Sequence, residues 1–99
     1  MDLEYMMCQI NDELDGAADY AKKAMEIKPM APTWTPILLE MAKAEMTHAS
    51  NLYKMAQEYY GRISAYYGQT IPDHLSKMYS EITDTYTEKS LMVKTLMEM

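Results

Sequence analysis

The segment Lys43-Ala44-Glu45-Met46-Thr47-His48-Ala49 lies in a long amphipathic run and places a carboxylate and an imidazole three residues apart. On an α-helix this spacing puts both side chains on one face, about one turn apart, where they can hold a single metal ion. The same face is otherwise formed by large apolar residues, namely Trp34, Leu38, Met41, Leu52, Met55 and Tyr59. Because buried charge needs a partner, we predict that this face is part of a core and that Glu45 and His48 are half of a metal site.

Composition narrows the class of protein. The chain of 99 residues is 48% apolar, which suits one domain with a modest core. It has no apolar run near the ~18 residues of a membrane span and no signal-peptide pattern, so we expect a cytoplasmic protein without a membrane partner. A net charge of −6 disfavours nucleic acid, because phosphate binding needs clustered Lys and Arg. The one cysteine, Cys8, is expected to be a small core residue.

Apolar residues recur at alternating steps of three and four along most of the chain, which predicts an all-α fold. The prolines between residues 29 and 36 end the first helix, and Gly68 is a natural C-terminal cap for the second. Thr35 is the predicted N-cap of that second helix. Short connectors make the first two helices an antiparallel hairpin. The expected helices span residues 2–28, 35–67 and 72–98 of a single helical domain, 1–99.

The third predicted helix carries charge but no second Glu-x-x-His motif. Its acidic residues are expected to be solvent-facing partners of nearby lysines; the acids are Glu81, Asp84 and Glu88, and the lysines are Lys77 and Lys89. His74, in the first turn, is expected on the surface. Further ligands must therefore come from elsewhere.

The first helix supplies a further carboxylate, Glu13, on its inward side, with Tyr20 two turns beyond it. In a hairpin, Glu13 lies about fifteen residues before the turn, and Glu45 and His48 lie about ten to thirteen after it, so the three side chains reach nearly the same height. Two carboxylates and one imidazole suit Fe, Mn or Zn.

One chain nevertheless offers only half of a di-iron site, which in a four-helix bundle takes two Glu residues and two Glu-x-x-His motifs. Pairing of two hairpins about a twofold axis doubles every ligand and predicts a homodimer, or a higher oligomer of dimers. In this arrangement Glu13 and His48 of one subunit hold each ion, the two copies of Glu45 bridge the ions, and Tyr20 lies just outside.

The motifs Asp12-Glu13-Leu14-Asp15, Tyr20 and Glu45-Met46-Thr47-His48-Ala49 resemble the ferritin-like superfamily, in the half-length form of the encapsulated ferritins and the short rubrerythrin-like proteins of bacteria and phages. The resemblance covers about residues 7–66. It implies a four-helix bundle completed by dimerisation, with Glu13, Glu45 and His48 as iron ligands, Tyr20 as a catalytic residue, and Asp12 and Asp15 along the path by which metal reaches the site.

Two features depart from that family. Asp19 stands where the encapsulated ferritins have an aromatic residue before the tyrosine, and Met97-Glu98-Met99 does not resemble a targeting tail, so an encapsulin shell is not an expected partner.

The leading hypothesis is a di-iron protein that binds Fe(II) at a subunit interface and oxidises it with O₂ or peroxide, as a ferroxidase-type oxidoreductase. For Glu45 and His48 the alternative is a buried hydrogen-bonded pair that fixes helix register, and for Tyr20 an ordinary core or interface tyrosine. For the whole chain the alternative is a non-catalytic helical assembly or scaffolding protein, such as one from a phage, with a structural metal or none. The tyrosine-rich second half of the second helix favours that alternative.

Overall fold

The computed structural model describes all 99 residues and is all-helical. The three long helices are α1 (Leu3–Ile27), α2 (Thr35–Tyr67) and α3 (Asp73–Glu98), with a short 3₁₀ turn at Gly68–Thr70. The predicted class and the predicted helix ranges are confirmed to within a residue at each end.

The helices form an elongated rod with principal extents of 57 × 17 × 17 Å. The short connector makes α1 and α2 an antiparallel hairpin, and α3 packs against both. Stacking of Tyr53 on Tyr86 and of Tyr60 on Tyr79 shows that α3 runs antiparallel to α2, and therefore alongside α1 in the same direction.

The core lies mainly along α1. Eight of the fourteen buried residues belong to this helix. Apart from the adjacent pair Ala17 and Ala18, they recur every three or four positions, because such positions fall on one face of a helix. They are Leu3, Met6, Ile10, Leu14, Ala17, Ala18, Ala21 and Ala24. Both other helices pack on this line of residues, which makes α1 the element that positions them.

The buried face of α2 is not the one expected from its large apolar residues. Its fully buried positions are Ala42, Ala49 and Ala56, seven residues apart. Trp34, Met41 and Met55, predicted to face a core, are 58%, 40% and 43% exposed in the single chain, so that prediction is wrong for them. Alanine lets helices approach closely, and the neighbouring larger side chains are then left at the rim of the contact.

Tyrosines form the seam between α2 and α3. The rings of Tyr53 and Tyr86 stack with centroids 4.4 Å apart, and those of Tyr60 and Tyr79 with centroids 4.3 Å apart. The Tyr53 hydroxyl donates to Thr83 Oγ1 at 3.1 Å. These contacts attach α3 to the hairpin through aromatic area and satisfied hydroxyl groups.

The helix ends follow local chemistry. Asp2 caps α1 by accepting a hydrogen bond from the Tyr5 amide at 2.9 Å. Thr35 is the first residue of α2 and not its N-cap, since its hydroxyl donates to the Ala24 carbonyl of α1 at 3.2 Å. Gly68 caps α2 with a φ of 62°, as predicted, a conformation that side chains disfavour.

Two further expectations are corrected. Cys8 is exposed and is not a core residue, because the inward face of α1 is occupied by the neighbouring Met6 and Ile10. Lys89 reaches α1 and donates to Asp15 at 2.8 Å, and so it does not pair with an acid of its own helix. None of the helices combines the length and apolarity needed to cross a bilayer.

Candidate metal centre

Three predicted ligands come together between α1 and α2. Glu13 projects from α1, and Glu45 and His48 project from α2 one turn apart. The three ligand atoms lie within 4.8 Å of one another. His48 Nδ1 is 3.2 Å from Glu13 Oε2, within hydrogen-bond distance across the hairpin. The three side chains can therefore contact one cation together, all from the same side.

Antiparallel packing sets this convergence. The connector between Ile27 and Thr35 turns the chain back, so positions at equal distance from it face each other. The buried Ala42 and Ala49 of α2 hold the hairpin close together on either side of Glu45 and His48 along the chain. Side chains of the length of Glu and His then reach across from both helices.

The two carboxylates perturb each other. The pKa of Glu45 is raised above its ordinary value of 4.5, chiefly by a hydrogen bond with Glu13, then by partial burial and by the negative charge of Glu13. The nearby His48 has the opposite, smaller effect on the same pKa. Two carboxylates this close favour either a shared proton or a bound cation between them.

The group lies at the surface of the single chain. The Glu13 side chain is 22% exposed and that of His48 is 57% exposed. Glu13 is thus only partly buried, and the inward position expected for it holds only in part. Solvent therefore reaches the three side chains from the open side.

The predicted catalytic residue and the two predicted metal-path residues are not part of this group of three. Tyr20 is partly buried on α1, seven residues after Glu13 and therefore about 10 Å further along the same face. Asp12 and Asp15 are exposed on α1. Asp15 accepts a hydrogen bond from Lys89 of α3, so that a cation of the chain already partners this acid.

Gly16 is a neighbour of the site that is not among the predicted site residues. A Cβ at this position would lie 3.3 Å from Glu45 Oε2. The available signal is its position three residues after Glu13, on the same face of an otherwise good helix.

Comparison of the chain with protein-family profiles, with curated proteins and with solved structures finds no match. The ferritin-like resemblance therefore rests on the sequence motifs quoted above.

Proposed function

We propose that the protein is a ferritin-like di-iron carboxylate protein that binds Fe(II) between two subunits and oxidises it with O₂ or peroxide. The observation that carries the proposal is the convergence of Glu13, Glu45 and His48 from two helices, with ligand atoms within 4.8 Å of one another.

The donor set fits iron. Two carboxylate oxygens and one imidazole nitrogen are hard-to-borderline ligands, which suit Fe and also Mn or Zn. Carboxylates stabilise Fe(III) over Fe(II), and two bound Fe(II) ions would supply the two electrons that reduce one peroxide to water. The pKa of Glu45 is raised because its negative charge is disfavoured beside Glu13, and a bound cation would offset this repulsion.

A stripe of exposed side chains on α2 supports a second copy as the source of the remaining ligands. Trp34, Met41, His48 and Met55 are spaced by seven residues and therefore follow one line along the helix; we call them the Trp34 stripe. Trp34, Met41 and Met55 are 58%, 40% and 43% exposed. Large apolar side chains in a continuous exposed row are typical of an interface.

Glu45 lies midway along the Trp34 stripe, between residues 34 and 55. A twofold axis through the middle of the stripe would pass beside Glu45 and place the two copies of this residue together. His48 would then be covered, and Glu13, Glu45 and His48 of both chains would together supply the ligands for two ions. Tyr20 would lie outside this group.

Iron loading tests the site. Protein incubated with Fe(II) under argon and then desalted is expected to hold about one iron per chain, while His48→Ala is expected to lose iron affinity by more than the ~10–100-fold typical of outer-shell partners. His74→Ala is the matched control, because His74 is an exposed histidine on α3. Equal iron content in wild type and His48→Ala would refute the site.

Association and oxidation are tested separately. Met41→Glu is expected to give monomers with weakened iron binding, whereas Leu91→Glu, at an exposed leucine of α3, is expected to leave both unchanged. Light scattering measures the mass, and an oxygen electrode measures consumption after Fe(II) addition. A fully loaded monomer would refute the shared interface, and bound iron without oxygen or peroxide consumption above background would refute ferroxidase activity.

The scaffold alternative keeps one supporting feature. Tyr53, Tyr59 and Tyr60 pack within the chain, but Tyr66 and Tyr67 are 83% and 40% exposed and meet edge to face. Assembly that persists in a chelator and in His48→Ala, and that is lost in Tyr66→Ala, is the result that would favour a non-catalytic assembly protein.

A further inference from the structure

We infer that Gly16 is a positioning residue, and that its missing side chain provides the space in which the Glu45 carboxylate sits. The inference rests on the proposed function, since it assigns Gly16 a role in metal binding. A Cβ at Gly16 would lie 3.3 Å from Glu45 Oε2, 3.5 Å from its Cδ and 3.9 Å from its Cγ. The whole end of the Glu45 side chain therefore rests on the bare backbone of α1.

The backbone itself gives no reason for glycine at this position. Gly16 lies in the middle of α1 and has no positive φ, unlike Gly68. Glycine inside a helix is less stable than alanine because it loses more conformational freedom on folding. The contact that a side chain at position 16 would make with Glu45 gives a reason for glycine that the backbone does not.

The contact at Gly16 involves one residue of the proposed metal site, Glu45. Gly16 follows Glu13 by three residues on the same face of α1, and the atoms nearest to its would-be Cβ belong to Glu45, which is itself one turn from His48. An added methyl group would therefore change the position of one member of the group relative to the other two. A separation of 3.3 Å is shorter than ordinary contact, so Glu45 would have to move by a few tenths of an ångström.

Gly61 provides a matched control. It also lies inside a long helix with no positive φ, but a Cβ there meets no atom within 4 Å. Gly61→Ala therefore makes the same change in helix propensity without the contact. A propensity effect alone predicts that both alanine variants behave alike, whereas the positioning role predicts that only Gly16→Ala affects the site.

The experiment measures the ¹³C shift of Glu45 Cδ in the metal-free protein and then the affinity of the protein for Fe(II). In the metal-free protein at pH 7, the ¹³C shift of Glu45 Cδ is expected to change in Gly16→Ala and to stay unchanged in Gly61→Ala. Calorimetric titration with Fe(II) under argon is expected to show about tenfold weaker binding for Gly16→Ala, comparable to the loss of an outer-shell partner. Gly61→Ala is expected to bind Fe(II) as the wild type does, with a melting temperature raised by a few degrees.

A double mutant separates action through Glu45 from a general effect. Gly16→Ala in a Glu45→Ala background is expected to cause no further loss of Fe(II) affinity, because the contact no longer exists. An unchanged Glu45 Cδ shift, an unchanged affinity of Gly16→Ala, or full additivity in the double mutant would each overturn the inference. A wild type that binds no Fe(II), but whose Glu45 Cδ shift responds to Gly16→Ala, would overturn the proposed function and the metal role of Gly16 while leaving the contact established.

Discussion

Replacing Glu45 with glutamine is expected to stabilise the metal-free protein at neutral pH. The carboxylates of Glu13 and Glu45 have ligand atoms within 4.8 Å. Two unit charges at that distance repel by about 0.9 kcal/mol in water and about 3.5 kcal/mol at an effective dielectric constant of about 20. Because both side chains are partly exposed and His48 attracts them, screening favours the lower value, about 1 kcal/mol.

The pH dependence follows from the direction of the Glu45 pKa shift. The folded-state pKa is raised above the ordinary value of 4.5. The folded state is therefore favoured by protonation of Glu45 below pH 4.5, and this contribution is lost as the pH rises through the raised folded-state pKa. Glutamine mimics the protonated form, so Glu45→Gln should gain its advantage at pH 7 and lose it under acidic conditions.

Thermal unfolding followed by circular dichroism in a chelator measures this difference. A change of about 1 kcal/mol raises the melting temperature of a domain of this size by about 4–8 °C. Glu81→Gln, at an exposed acid of α3, is the control and should leave the melting temperature nearly unchanged. With saturating Fe(II) the order should reverse, because a ligand stabilises only the chain that binds it, by about 2.7 kcal/mol at a concentration a hundredfold above Kd. Equal melting temperatures of wild type and Glu45→Gln at pH 7, or an equal gain at pH 3.5, would refute the reasoning.

Two further predictions concern the packing that supports the site. Ala49→Leu inserts a large side chain at a position with 0% exposure and is expected to lower the free energy of urea unfolding by about 1–3 kcal/mol, whereas Ala44→Leu at an exposed position should change it little; similar stabilities of the two variants would contradict the close approach of α1 and α2. Gly68→Ala forces a side chain to adopt a φ of 62° and is expected to lower the free energy of unfolding by about 1–2 kcal/mol in the same urea assay. An unchanged or raised free energy of unfolding would show that residue 68 does not hold that conformation in solution.

The sequence predicts the helices well because their boundaries are local. Prolines after Ile27 and the glycine at position 68 end helices through backbone chemistry that needs no partner. The meeting of Glu13 with Glu45 and His48 could be foreseen as well, since counting residues from a short turn gives their heights in a hairpin.

Which face of α2 packs against the other helices could not be predicted from the sequence in the same way. This helix is apolar on more than one side, and the side that packs is marked by small alanines that contribute little to a hydrophobic pattern. The pairing of Asp15 with Lys89 spans 74 residues and depends on how α3 lies against α1. The contact between Gly16 and Glu45 depends on the distance between two helix axes, which sequence spacing does not give.

Trp34 is the one tryptophan of the chain, and it stands 58% exposed at the end of the stripe that includes His48. Eleven residues separate it from Glu45, which is about 16 Å along a helix. The emission wavelength of Trp34 therefore reports whether this end of the Trp34 stripe is exposed to water, at a position remote from Glu45. If the proposed interface forms, the Trp34 emission is expected to shift to longer wavelength on dilution, as subunits separate, and to shorter wavelength on association. The tryptophan would then provide an optical label for association that is separate from the occupancy of the carboxylate group.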